Sequence, residues 1–213
     1  MKPIAGVICD FGGVLTTPLV EAFAAIQEES GISPGSLAEA MGRLAARDGN
    51  HPLFELETGR ISEHRFLESL GAELGRTLGR TVQLHGFSRS YFANLHPNQA
   101  MIDCMRSLRE RGLRMAILTN NVREWEPLWR PMLPVDEIFH HVVDSAFVGM
   151  RKPDRVIYEL TLERIGLAAR QCLFVDDVDV NCDAARELGM TTVWFRDNAQ
   201  AIPEIEAAVD RVT

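Results

Sequence analysis

Five short stretches of this chain are apolar with little interruption: Ile4 to Cys9, Met115 to Leu118, Ile138 to Val143 (broken by His140 and His141), Leu173 to Val175 and Thr191 to Phe195. A strand with one face in water alternates apolar and polar residues. A strand covered on both faces does not, so unbroken runs mark a parallel sheet packed between helices. Segments with helical periodicity lie between the runs. Pro97 opens one, Ile102, Met105 and Leu108 share a face of it, and Arg106, Arg109 and Arg111 load its last turns before Gly112 stops it. Asp154 caps a second, which ends at Gly166. A third carries Ala184, Ala185 and Leu188 up to Gly189, and a fourth carries Ile202, Ile205 and Val209. Strand and helix in alternation predict an α/β fold with a doubly wound, mainly parallel sheet.

The alternation has one long gap. From about residue 18 to residue 95 the pattern is helical throughout, over Val20 to Glu29, Ser36 to Arg47, Glu63 to Leu74 and Phe87 to Leu95. A helical block of this size between the first and second strands reads as an insert that folds as its own small cap. With 213 residues, 46% of them hydrophobic, the chain has enough apolar material for a core and such an insert. The net charge of -8 leaves no basic patch, which disfavours nucleic acid as a partner, and the acidity itself serves solubility. Cys9, Cys104, Cys172 and Cys182 lack CxxC spacing and read as reduced core residues. The first apolar run is too short for a signal sequence and no run approaches a membrane span, so a cytoplasmic location with no membrane partner is expected.

In open α/β sheets, ligands bind beyond the carboxyl ends of the strands. After the first strand stands Asp10 with Gly12-Gly13; after the second, Thr119-Asn120-Asn121; in the loop after the third, Arg151-Lys152-Pro153-Asp154; after the fourth, Asp176-Asp177, then Asp179 and Asn181. The basic residues are otherwise nearly all arginine. Only Lys2 and Lys152 are lysine, which points to a need for a compact ammonium at 152. Carboxylates, a hydroxyl, amides and an ammonium on one rim suit phosphoryl transfer, which needs a nucleophile, charge neutralisation and hydrogen-bond donors. Asp10 and Asp177 suit Mg²⁺, a hard ion that takes oxygen ligands. Lys152 suits a phosphate as a point charge.

These residues form four motifs: DFGGV at Asp10, LTN ending at Thr119-Asn120, KP at Lys152 and VDD at Asp176-Asp177. In order and spacing they resemble the haloacid dehalogenase (HAD) superfamily, and the resemblance covers the whole chain. The nearest flavour is the branch of the amino-terminal phosphatase domain of soluble epoxide hydrolase and related sugar-phosphate phosphatases, which Phe54 to Ser62 also resembles. The resemblance implies a Rossmann-like core of residues 1–16 and 97–213 with a helical cap at 17–96. It implies a phosphatase of small phosphorylated metabolites, sugar phosphates among them. Asp10 would attack phosphorus and form an aspartyl phosphate that water hydrolyses. Mg²⁺ would sit on the Asp10 carboxylate, the Gly12 carbonyl and Asp177, with Asp176 behind them or acting through water. Thr119, Asn120 and the backbone around Gly12 and Gly13 would hold the phosphate, which Lys152 ties to Asp10.

The chain departs from the family pattern at one position. Most phosphatases of the family carry an acid–base Asp two residues after the nucleophile, and here that residue is Gly12. The carbonyl survives the change and the acid does not. General acid–base help is worth ~10²–10⁴-fold, so its loss predicts a bias toward leaving groups that need little protonation, such as anomeric or aryl phosphates. His51, His64, His85 and His96 are the cap residues of a type able to replace the proton donor. Two alternatives stay open. One is a slow or non-catalytic phosphate-binding protein. The other is a haloacid dehalogenase, which needs no metal and so gives no reason for the Asp176-Asp177 pair.

Overall fold

The computed structural model describes residues 3–210. Its centre is one parallel five-stranded sheet in the order β3-β2-β1-β4-β5. The strands are β1 (Gly6–Cys9), β2 (Arg114–Thr119), β3 (His141–Asp144), β4 (Cys172–Asp176) and β5 (Thr191–Trp194). Side chains alternate between two buried faces, as an unbroken apolar run requires. Val7, Cys9, Met115, Ile117 and Val175 enter one core cluster, while Ile8, Ala116, Leu118 and Phe174 enter the other.

Between β1 and β2 run α1 (Leu19–Ser30), α2 (Pro34–Asp48), α3 (Pro52–Glu57), α4 (Glu63–Leu78) and α5 (Phe87–Ala93), followed by α6 (Gln99–Glu110). Ser33 and Ser62 cap α2 and α4 by accepting hydrogen bonds from the Ser36 and Arg65 amides, and each helix ends on a left-handed glycine, Gly49 or Gly79. Leu37, Leu44, Leu56, Phe66, Leu70 and Leu74 form a third apolar cluster apart from the sheet. Helices α1 and α5 instead pack Ala22, Ile26 and Tyr91 into the first sheet cluster. The chain leaves and re-enters the sheet layer side by side. Thr16 bridges Pro97 in antiparallel fashion, and the Asn98 amide side chain donates to the Val14 carbonyl at 2.9 Å.

The remaining helices are α7 (Glu126–Trp129), α8 (Val135–Ile138), α9 (Ser145–Val148), α10 (Arg155–Ile165), α11 (Asp179–Glu187) and α12 (Asn198–Val209). The expected third strand needs correction, because Ile138 closes the single turn α8 and the strand starts only at His141. Pro134 starts that turn, and it swings Val135 and Ile138 together into the core. Just before the strand, His140 accepts a hydrogen bond from the Met115 amide through Nδ1 at 2.9 Å. Among the described residues no helix is long and apolar enough to cross a membrane, and all four cysteines are free and buried.

Candidate active site

Parallel register brings the strand ends to one edge. Cys9 pairs with Ile117 and Val175, so Asp10, Thr119 and Asp176 emerge side by side on neighbouring strands. Thr119 in turn pairs with Asp144 at the end of β3. The loop after α9 carries Lys152 back beneath them, 1% exposed.

Lys152 Nζ lies 2.8 Å from Asp10 Oδ1 and 2.6 Å from Asp176 Oδ2. Asp176 is fully buried and fully used. Its Oδ1 accepts from the Val178 amide at 2.8 Å and from Asn181 Nδ2 at 3.0 Å, while Oδ2 takes the lysine. Asn181 therefore fastens a site carboxylate, a role its position in a helix start did not announce. Asp10 Oδ1 also accepts from the Phe11 amide at 2.7 Å. The carboxylates of Asp10, Asp176 and Asp177 each offer an oxygen within 4.8 Å of the others. Burial pushes the Asp10 carboxyl up to about 7 against the pull of Lys152, with the charges of Asp176 and Asp177 adding to the rise. Burial and then the Asp176 charge push Asp177 up to about 6. Three carboxylates share one ammonium, so the cluster is short of positive charge.

The glycines have different duties. Gly13 has φ +78, and a Cβ there would stand 2.2 Å from Asp177 Oδ2. Only glycine lets the Asp177 carboxylate come in over the loop. Gly12 has ordinary backbone, and a Cβ there would meet Leu19 at 3.4 Å. The Gly13 amide donates to Thr16 Oγ1 at 2.9 Å. With Phe11 donating to Asp10, two of the three amides from Phe11 to Gly13 are engaged within the loop.

Asn120 clamps the Lys152 main chain at both ends of its amide, accepting from Lys152 N at 2.8 Å and donating to Lys152 O at 3.0 Å. The Thr119 hydroxyl makes no hydrogen bond among the described residues. Next to Lys152, Arg151 Nε reaches Glu57 Oε2 of α3 at 2.7 Å, and its guanidinium lies 3.9 Å from the centre of the Phe54 ring. That contact ties the helical insert to the Lys152 loop. Asp144 caps α9 by accepting from the Ala146 amide and, among the described residues, makes no hydrogen bond or ion pair with Lys152.

A cavity of about 260 Å³ lies against this rim. Phe11, Gly12, Thr119, Asn120 and Asn121 form one wall, and α1 to α5 with Val122 and Trp125 form the rest. None of His51, His64, His85 or His96 lines it; the titratable side chains that do are Glu57, Glu63 and Tyr91. The His51 ring lies tilted against Phe54 at 4.4 Å, and His64, His85 and His96 are exposed. Trp125 and Trp129, four apart, meet different rings. Trp129 is buried against Phe11, while Trp125 stacks on Tyr91 in the cavity wall.

A family model of haloacid dehalogenase-like hydrolases matches residues 4–189. The chain belongs to this family. As a HAD-like hydrolase it is 25% identical over 211 residues to bifunctional epoxide hydrolase 2 of Rattus norvegicus, covering 92% of this chain and 37% of that protein. It is 26% identical to sesquiterpene phosphatase astK of Aspergillus oryzae over 211 residues, 95% of each chain. The chain spans about a fifth to two-fifths of the length of the longer curated relatives it matches. A HAD family enzyme of Bacteroides thetaiotaomicron, solved as a magnesium complex, shares the fold with a TM-score of 0.68. It is 21% identical over 92% of this chain and 94% of that one.

Proposed function

We propose that this HAD-like hydrolase is a Mg²⁺-dependent phosphatase of small phosphorylated metabolites, acting through an aspartyl phosphate on Asp10. One observation carries the reading: a single buried ammonium, Lys152, is shared by Asp10 and Asp176 while a third carboxylate, Asp177, stands in the same cluster. A donor set made only of carboxylate and carbonyl oxygens, with a surplus of negative charge, fits a hard divalent cation. Asp10, the Gly12 carbonyl and Asp177 would hold it, with Asp176 behind them. When bound, Mg²⁺ neutralises the carboxylates and the phosphoryl oxygens so that they can meet.

The residues then divide the work. Asp10 Oδ2, which carries no hydrogen bond among the described residues, attacks phosphorus as the ester P–O bond breaks. The departing alkoxide takes a proton from water, because Gly12 offers none. A second water attacks the aspartyl phosphate, releasing inorganic phosphate and the free Asp10 carboxylate. Lys152 holds Asp10 in place and the Thr119 hydroxyl donates to a phosphoryl oxygen. Asn120 acts on the substrate through Lys152, whose backbone it clamps. In the same proposal residues 17–96 are a cap over a core of 1–16 and 97–213, and the enzyme works in the cytoplasm. Similarity to the fungal sesquiterpene phosphatase supports phosphate release, and the magnesium complex of the bacterial enzyme supports the choice of cation.

Phosphate release from a panel of monoesters, with and without Mg²⁺, tests the reading against the Asp10→Asn variant. Metal-dependent release that falls on the order of 10⁴-fold or more in the variant is the expected result. Release that persists in the variant would remove Asp10 from the chemistry.

A further inference from the structure

We infer that the physiological substrate is a monoester whose single phosphate sits at the rim and whose leaving group is uncharged and apolar. This rests on the phosphatase reading and narrows it. The cavity beside Thr119 and Asn120 is walled by α2 with Leu37 and Met41, by α4 with Phe66, Leu67 and Leu70, and by a cluster of aromatic rings. In that cluster Tyr91 stacks on Trp125 at 5.2 Å and meets Phe23 edge-on at 5.6 Å, and Phe87 stacks on Trp125 at 6.5 Å.

The polar side chains of the wall say what is turned away. Apart from the rim amides and hydroxyl they are two carboxylates, the Tyr91 hydroxyl and the Trp125 indole N–H, which is buried with no hydrogen-bond partner, and among the described residues no Lys, Arg or His lines the cavity. Glu57 is committed to Arg151. Glu63 Oε1 is buried with no hydrogen-bond partner. A second phosphate or a carboxylate on the leaving group would find no cation there and two like charges. A sugar would bring several hydroxyls to a wall with few groups to receive them, and each buried hydroxyl left unpaired weakens binding. An apolar tail meets no such cost, and each methylene it buries strengthens binding about fourfold. The absent acid at Gly12 adds a separate preference, for leaving groups of low pKa such as phenols, which depart without a proton supplied by the protein.

A series of 4-alkylphenyl phosphates, from hydrogen to octyl, holds the leaving group constant while the tail grows. With Mg²⁺ present, kcat/KM is expected to rise by up to about fourfold per methylene until the cavity fills. It is expected to fall below the phenyl phosphate value for 4-carboxyphenyl phosphate and for glucose 6-phosphate. Met41→Trp, which fills the wall, should move the optimum to a shorter tail. Phenyl phosphate hydrolysed with no dependence on tail length, or glucose 6-phosphate preferred, would overturn the inference and leave the phosphatase reading standing. If no ester is hydrolysed, the phosphatase reading fails, and calorimetric titration with the same esters decides. Affinity that climbs with tail length supports an apolar-tail site, and affinity independent of tail length overturns it.

Discussion

At the carboxyl edge of the sheet, Lys152 binds Asp10 and Asp176 at 2.8 and 2.6 Å, and Asn120 and Asn181 each fasten one member of the group. Across Thr119 the wall of the cavity changes character, to Leu, Phe, Met and stacked rings from five helices. The rim is a closed electrostatic unit, in which removal of one member disturbs all the others. The cavity is a shaped apolar surface, in which removal of one side chain changes volume and little else. Chemistry and choice of substrate are thereby assigned to separate parts of the chain. Rim variants should slow every ester alike, and cavity variants should reorder the esters.

The largest effect that tests this division is expected for Lys152→Met. Two buried carboxylates lose their common cation, and breaking a buried pair by removing one partner costs about 3–5 kcal/mol of stability. Phosphate release should fall by about 10²–10³-fold for apolar and polar esters in equal proportion. Thermal melts with and without Mg²⁺ separate the two consequences. The cation should restore part of the lost stability, since it replaces some of the missing charge, and none of the lysine's contact with Asp10. A variant that slowed sugar phosphates and spared alkylphenyl phosphates would break the comparison, because the rim would then be choosing substrates. Lys152→Arg should not rescue, because a planar fork does not fit a pocket cut to a point charge with 1% exposure.

The smaller rim experiment is Gly12→Asp. The backbone at Gly12 is of an ordinary kind, and the new Cβ would stand 3.4 Å from Leu19, so the loop accepts the change with little movement. The acid supplied should speed esters of poor leaving groups, toward the low end of the ~10²–10⁴-fold range of acid–base catalysis, and leave phenyl esters almost unchanged. Rate measurements on an alkyl and an aryl ester decide. A uniform loss for both would mean that the added charge harms the metal site more than the acid helps.

These residues also mark how far the sequence could be read. The rim is legible because each of its groups follows a strand, and the apolar runs locate the strands to within a few residues. The miss at Ile138 has a plain cause, since one helical turn after Pro134 buries Val135 and Ile138 as a strand would. The partnership of Asn181 with Asp176 was hidden by its place in a helix start, where an amide usually serves as a cap. The cavity was not legible. Leu37 and Met41 of α2, Phe66 and Leu70 of α4, Tyr91 of α5 and Trp125 beyond β2 stand at ordinary core spacing, and only tertiary packing turns these elements toward a common space. Glu57 falls within the Phe54 to Ser62 stretch that resembles the family branch, yet nothing in its spacing names Arg151 as its partner.

Asp144 provides the control for the rim, because it is a strand-end carboxylate buried with no ion pair among the described residues. Its Oδ1 accepts from the Ala146 amide, and its Oδ2 is buried with no partner. Burial pushes the carboxyl from about 3.8 up to about 7. Between those values the folded chain holds a proton that the unfolded chain has released. Stability therefore falls as pH rises through this window and no longer changes on this account above it. Asp144→Asn removes the titration and keeps an oxygen for Ala146. At pH 8 it should raise the unfolding free energy by about 1–3 kcal/mol, because it removes a buried charge while leaving one polar atom unpaired as before, and at pH 4 it should be near neutral. Other carboxyls titrate in the same window, Asp10 and Asp177 among them, so the informative quantity is the variant-minus-parent difference from urea unfolding at the two pH values. A difference that does not change with pH would mean that Asp144 has a cation or water partner after all. The contrast between partnered rim carboxylates and this unpartnered one would then lose its basis.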